Sequence, residues 1–315
     1  MKRNQIILLC FLILIVLYNL FFGIKARQFE KILVFGSGIS TNAIAKKLED
    51  NGVIKSAIMF KIYIKLINAG EHLKAGTYMF TKPLSVAKAA EKILKGETHL
   101  LKITIPEGFS AKQIAQRLAE QGFGDYDKFM DIIEQNKWEG YLYPETYVLN
   151  PDRTEYNILK VMVDSFHREI FPLFENYDFS KYKKLSYKFD KKNAVILASL
   201  VEREAKVPSE RARISAVFHN RLKRRWYLES CATVQYILGK PKANLYFKDL
   251  EIESPYNTYK HIGLPPGPIC SPGKLSVYAA LHPSDEDVMF FVRNGDENGG
   301  HTFTRYFSQH VKAKK

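Results

Sequence analysis

The sequence predicts an α+β protein, and three features carry that expectation. Within the first 130 residues a short β-like run followed by a helix occurs twice, in fixed register. In the second half, Ala194–Ala205 is apolar on nearly every face and long enough for three helical turns, which predicts a buried helix. The end, Phe290 to His310, reads as a strand, an Asp296–Gly300 turn and a second short strand around His301–Phe303. Strands and helices therefore segregate into small units.

With 315 residues there is room for an anchor and two modest domains, and 46% hydrophobic with 25% charged residues is ordinary for a folded chain. The net charge of +14 is spread along the sequence and fits an anionic partner: nucleic acid, anionic lipid head groups or an acidic polymer. Neither zinc-finger spacing nor an RNP-type aromatic motif is present, so nucleic acid is the weaker choice. No metal or cofactor is expected. Of the three cysteines, Cys10 lies in an apolar run, which leaves Cys231 and Cys270 as one possible disulfide or two free thiols.

Ile6–Ile24 is 19 residues without a charge, enough to span a bilayer core. It is too long for the centre of a cleaved signal peptide, and Leu9 precedes Cys10 where lipidation would need a small residue. Residues 1–27 are read as a short cytoplasmic tail and a single-pass membrane anchor, with the folded part outside the cytoplasm.

From Val34 to about Phe129 the chain repeats itself. Gly38-x-Ser40-x3-Ile44-x3-Leu48-x3-Gly52 matches Gly108-x-Ser110-x3-Ile114-x3-Leu118-x3-Gly122 at an offset of 70 residues. Each copy predicts a strand, a Gly-x-Ser turn that caps a helix, and a Gly at the helix's C-terminal end. Between the copies, Ala75–Phe80 reads as a strand and Val86–Leu94 as an amphipathic helix. Next comes Glu139-Gly-Tyr141-Leu-Tyr143-Pro-Glu145-Thr-Tyr147. Its alternating rings and carboxylates suit the wall of a sugar cleft and equally suit an ordinary strand. Asn150 to Lys192 reads as a polar helix and a Lys/Tyr-rich loop at the solvated surface.

In the central helix, Leu197, Leu200, Val201 and Glu204 fall at i, i+3, i+4 and i+7, so a carboxylate completes an apolar stripe. Glu202 lies about 200° away round the helix. A carboxyl among Leu and Val side chains is expected to keep its proton near neutrality, the property of a general acid. The plain alternative pairs Glu204 with Arg203, Arg211 or Arg213 at the helix end. Beyond it, Val207-Pro-Ser-Glu210 predicts a turn and capped helix start, and Ser254–Tyr259 and Gly263–Pro268 predict rigid loops that carry binding residues.

Taken together, LASLVEREA at Leu197–Ala205, EGYLYPETY at Glu139–Tyr147, YNTY at Tyr256–Tyr259, GLPPGPICSPG at Gly263–Gly273 and GGHTF at Gly299–Phe303 resemble the MltG (YceG-like) family, endolytic murein transglycosylases of the bacterial inner membrane. The resemblance runs over almost the whole chain. It implies a LysM-like portion over 28–130, a catalytic domain over 131–315, and non-hydrolytic cleavage of the MurNAc–GlcNAc β-1,4 bond to a 1,6-anhydro end. It places the catalytic carboxyl on Glu204, and Tyr256 and Asn257 along the cleft beside Glu139, Tyr141, Tyr143 and Glu145. It also implies peptidoglycan synthases as partners. One departure concerns Leu228-Glu-Ser230-Cys231-Ala232, where the family carries Asp-Pro in place of Cys-Ala. Two other readings compete: an anchored murein binder without activity, and a lysozyme-like hydrolase with Glu139 or Glu145 as the second carboxylate.

Overall fold

The computed structural model describes residues 29–36, 38–182, 187–239, 242, 245–295 and 298–313. The apolar run Ile6–Ile24 lies outside them; among the described residues no helix is long and apolar enough to cross a membrane. The chain divides into two compact units, Met1–Leu101 with Val148–Asp152, and Lys102–Tyr147 with Arg153–Lys315.

In the first unit the order is β1 (Lys31–Phe35), α1 (Thr41–Asp50), α2 (Ala57–Leu66), β2 (Gly76–Phe80) and α3 (Val86–Lys95). Each helix starts on a serine whose side chain accepts a backbone N–H: Ser40 from Ala43, Ser56 from Met59, Ser85 from Lys88. β1 pairs antiparallel with β2, Lys31 opposite Phe80 and Phe35 opposite Gly76. The period of two sends Leu33 and Phe35 inward and leaves Ile32 and Val34 exposed. The inward residues join Ile44, Leu48, Phe60, Tyr78 and Ile93 in one core. Asp152 accepts both the N–H and the hydroxyl of Thr77.

The next elements are β3 (Leu101–Thr104), α4 (Ala111–Glu120), α5 (Tyr126–Asn136) and β4 (Thr146–Leu149). The starts of β3, α4 and β4 lie 70 residues beyond those of β1, α1 and β2, so the duplication seen in the sequence covers a whole β-α-α-β unit. Gly38 and Gly108 hold φ of 76° and 78° at matching turns, where a Cβ would be strained. Ser110 and Gln113 form a reciprocal capping box on α4. Residues 139–145 are turn, bend and irregular backbone, and only Thr146 and Tyr147 of the tyrosine-rich motif belong to a strand, β4.

The second unit continues with α6 (Glu155–Glu175), α7 (Lys191–Glu204), α8 (Arg211–Lys223), α9 (Cys231–Leu238), α10 (Phe247–Leu250), α11 (Lys274–Leu281), β5 (Phe290–Arg293), β6 (His301–Thr304) and α12 (Phe307–Ala313). Every residue of α7 from Ala194 to Val201 is buried, and the helix packs against α8, α9 and α11. The expectation of solvated surface over 150–192 fails for α6, which buries Ile158, Met162, Phe166, Ile170 and Phe174 on one face. The expected cap on α8 also differs: Pro208–Glu210 is a 3-10 turn, and the Glu210 carboxylate bonds the His301 backbone N–H at 2.9 Å and ring Nδ1 at 2.8 Å. This contact fixes the start of β6. Cys231 and Cys270 are not joined in a disulfide; Cys231 is exposed and Cys270 buried.

Phe166 is fully buried with the Tyr141 ring edge-on at 5.0 Å. Phe166→Ala should cost roughly 3–5 kcal/mol, read as a lower melting temperature; an unchanged melt would show that α6 does not contribute to this core.

Candidate active site

The two carboxylates at the end of α7 have unlike surroundings. The Glu202 side chain is only 6% exposed, and its oxygens meet Arg211 at 3.3 Å and the Gly273 N–H at 3.0 Å. Arg211 also bonds the Ser276 hydroxyl at 2.9 Å and lies 3.8 Å from Glu107. Glu204 is half-buried, and the Ser230 hydroxyl donates to its Oε1 at 2.5 Å. The apolar stripe therefore does not enclose it. The stripe runs through the buried middle of α7 and ends a turn before the carboxyl, which lies in the helix's last residue. The plain alternative fails as well, since Arg203 donates to the Gly108 carbonyl, Arg211 pairs with Glu202 and Arg213 with Glu286. Among the described residues no ion pair reaches Glu204.

Ser230 precedes α9 at the N-cap, yet its side chain makes no capping bond, because the hydroxyl is turned to Glu204. Its backbone is fixed from both sides. The N–H donates to Thr258 Oγ1 at 3.0 Å, and its carbonyl accepts from Thr233 Oγ1 at 2.7 Å. Beside it the Cys231 Sγ lies 3.0 Å from the Tyr259 hydroxyl. Burial pushes that phenol up, helped by Cys231 and by the charge of Glu204. Cys231, the departure from the family pattern, thus stands next to the residue that holds the candidate acid.

A groove of about 290 Å³ begins at Arg203 and Ala232 and runs between Ser110, Gln235, Tyr236, Ser254 and Tyr256. Glu204 does not itself line it; its chain neighbour Arg203 does. Tyr236 and Tyr256 face one another at 5.0 Å, and the Tyr236 hydroxyl donates to Glu139 Oε2 at 3.1 Å. The other Glu139 oxygen accepts the Ala111 N–H, at the start of α4, at 3.0 Å. Burial pushes Glu139 up to about 7, against the lowering effect of the Ala111 N–H, the Tyr236 hydroxyl, the Gly140 N–H and Lys112.

The expected site residues separate. Glu139, Tyr141 and Tyr256 line one cavity beside the groove. Tyr143 is half-buried against the α7 core, and its N–H donates to the Met162 carbonyl. Glu145 is exposed and pairs with Arg168 at 3.4 Å. Asn257 is fully buried, its amide donates to the Leu250 and Ile252 carbonyls, and its oxygen accepts the Tyr259 N–H. It shapes the turn that presents Tyr256 and Tyr259, and has no free group for a sugar. Neither Glu139 nor Glu145 shares a partner with Glu204. Sequence reasoning missed Ser230, Tyr236 and Tyr259. Two of them lie inside quoted motifs, and Tyr236 carries no local signal.

Residues 34–315 match the YceG-like family. The chain belongs to that family. The YceG-like match begins within β1 and includes the rest of both β-α-α-β copies and everything after them. The chain is 36% identical over 306 residues to an endolytic murein transglycosylase of Bacillus subtilis, covering 89% of this chain and 82% of that protein. It is 28% identical over 325 residues to one of Streptococcus pneumoniae, covering 88% of this chain and 58% of the pneumococcal protein, so it spans a little over half of that relative. The crystal structure of a YceG-like protein from Listeria monocytogenes, 31% identical, superposes with a TM-score of 0.60 over 91% of this chain and 99% of that one.

Folded Glu139 keeps its proton to about pH 7, whereas an unfolded glutamate loses it near 4.5. Between those values the unfolded state binds fewer protons, so stability falls as pH rises, by roughly 2–4 kcal/mol over the window. Glu139→Gln keeps the acceptor and cannot ionise. Its melting temperature should fall less than that of the wild type between pH 5 and pH 8, and an identical pH dependence would count against a buried, proton-holding Glu139.

Proposed function

We propose that this chain is a membrane-anchored endolytic murein transglycosylase that cuts MurNAc–GlcNAc bonds within glycan strands and leaves 1,6-anhydro-MurNAc ends. The observation that carries the reading is the contrast at the end of α7. Glu202 is locked by a buried arginine, while Glu204 holds one hydroxyl donor on Oε1 and has no counter-ion among the described residues. A carboxyl with one oxygen oriented and the other open can give a proton and take one back. Named relatives that carry this activity support the same reading.

In the proposed cycle Glu204 as carboxylic acid protonates the glycosidic oxygen, and the bond from that oxygen to C1 of MurNAc breaks. The sugar's own C6 hydroxyl attacks C1, and its proton passes to the Glu204 carboxylate, which restores the acid. No water is consumed, so no second carboxylate is needed to activate one. The Ser230 hydroxyl donates to the carboxylate stage and holds Oε1 in one orientation throughout. The apolar run Ile6–Ile24 supports a single-pass anchor in the plasma membrane with the enzyme outside the cytoplasm. The β-α-α-β unit supports a LysM-like, glycan-binding role for 28–130, and strand-synthesising enzymes are the partners such an activity calls for.

Glu204→Gln should keep the fold and murein binding and lose roughly 10²–10⁴-fold in anhydro-end formation. Glu202→Gln takes from the buried Arg211 its nearer anion and leaves only Glu107 at 3.8 Å, so it should lose roughly 3 kcal/mol of stability while the folded fraction still makes product. Mass spectrometry of the products and thermal melts decide between them; an active Glu204→Gln beside a folded, inactive Glu202→Gln would reverse the assignment. Products heavier by one water would make the enzyme a hydrolase.

Ser230→Ala removes a hydrogen bond to a carboxylate, worth about 1.5–3 kcal/mol, and sacrifices no helix cap. Its turnover should drop roughly 10-fold or more with little change in melting temperature. Full activity would show that Glu204 is oriented by something else.

A further inference from the structure

Behind the Tyr236–Tyr256 pair lies a second cavity of about 640 Å³, more than twice the volume of the groove. Its lining mixes two chemistries. One part is aliphatic and aromatic, with Met130, Ile133, Tyr141, Val163, Pro266 and Pro268. The other is cationic: Lys112, Lys137 and Lys192 are exposed lining residues, and none of the three forms an ion pair among the described residues. The acidic groups facing them are Glu134 and Glu139, the latter holding its proton to about pH 7, and His167 completes the titratable set. Lysines that form no ion pair among the described residues are suited to an anion supplied by a ligand.

The glycan backbone of murein is a poor match for this lining. Its sugars carry hydroxyl and acetamido groups, and the lactyl carboxyl of each MurNAc is neutral where a peptide is attached and, where it is bare, is held close to the ring with no aliphatic group beyond it. The short peptides borne on its lactyl groups carry what the cavity asks for: free carboxylates for the lysines, and methyl side chains for the aliphatic wall. Tyr236 and Tyr256 line both the groove and the cavity, so a strand lying in the groove passes along the wall that separates the two.

We propose that this cavity receives the acidic peptide branch of a murein strand, so that the enzyme selects peptide-bearing over bare glycan. The proposal rests on the transglycosylase reading above, and takes it one step further to the part of the substrate that is not cut.

Two measurements on the full chain in detergent test it. The first compares kcat/KM for anhydro-end formation on intact strands and on the same strands stripped of peptide by an amidase. Intact strands should be preferred about 10–100-fold, the worth of one or two charge-assisted contacts. The double reversal Lys137→Glu with Lys192→Glu should bring the value on intact strands down to that on stripped ones. The second follows Trp138, which lines the cavity, by fluorescence during titration with a synthetic alanine- and glutamate-containing tetrapeptide that ends in a free carboxylate. A saturable change that disappears in the double variant is expected. Equal kcat/KM on both substrates, or no fluorescence response in the wild type, overturns the proposal. Inactivity on both kinds of strand would overturn the transglycosylase reading instead, and the peptide titration would still decide whether the cavity binds peptide.

Discussion

The second unit depends on the burial of α7 from Ala194 to Val201. A helix surrounded on all sides satisfies its own backbone in the middle but not at its end, where the last carbonyls and side chains must find partners. It also fixes whatever loops bond to it. Ser199, the one polar residue within the buried stretch, accepts the Ile269 N–H at 3.1 Å while its own hydroxyl donates to the Ile196 carbonyl. The Ser199 carbonyl accepts the Cys270 thiol at 3.3 Å. The Gly263–Gly273 loop is thereby pinned to the helix, and its Gly273 N–H reaches Glu202. At Gly273 a Cβ would fall 1.9 Å from a Glu107 oxygen, so a larger residue there would push the Glu107 carboxylate aside. The rigid loop expected from its prolines is rigid for a second reason, which is its attachment to α7.

A buried charge needs a partner, and a general acid must not have a strong one. Placed two residues apart at the end of one helix, the two glutamates divide these demands. Glu202 meets Arg211 in a dry environment, where the pair's attraction offsets the cost of desolvating both groups, and this joins α7, α8 and the Gly273 loop. Glu204, one step further round and at the helix end, meets a neutral hydroxyl. An arginine at that position would hold the carboxylate charged and stop it from donating a proton. The arginines nearby in sequence each have other acceptors, and this leaves the neutral contact undisturbed.

Much of the fold could be read from local pattern, because local pattern is what determines it. The Gly-x-Ser turns, their 70-residue offset and the apolar centre of α7 reflect backbone and burial requirements that act over a few residues. The apolar stripe points to Glu204 only if that carboxyl is enclosed, a condition the helix end does not meet. What sets Glu204 apart is the absence of a cation partner among the described residues. That depends on where Arg203, Arg211 and Arg213 find partners, at Gly108, Glu202 and Glu286, up to 95 residues away. Asn257 is hard to read from the sequence for a related reason. An asparagine in a turn-rich loop is read equally well as a sugar ligand or as the turn's own brace, and only the carbonyls of Leu250 and Ile252 decide between them.

The placement of Ser230 also comes from a distance. Arg221, in α8, is a buried guanidinium, a costly feature unless its donors are used. Its Nε donates to the Met289 carbonyl just before β5, and its Nη1 to the carbonyls of Tyr227 and Leu228 and to the Glu229 carboxylate. Glu229 is held at φ of 49°, a conformation that a non-glycine residue keeps only where its surroundings impose it. The next residue is Ser230. The chain is thus bent into a strained turn by one arginine, stitched to Thr258 immediately afterwards, and so delivers a hydroxyl to Glu204 from a segment with no regular structure of its own. A site that depends on one oriented hydroxyl needs such bracing, because a mobile serine would bond water as readily as the carboxylate. The buried Arg221 is then explained by position, since it joins α8 and the approach to β5 to the turn on which the candidate acid's only hydrogen-bond donor among the described residues is carried.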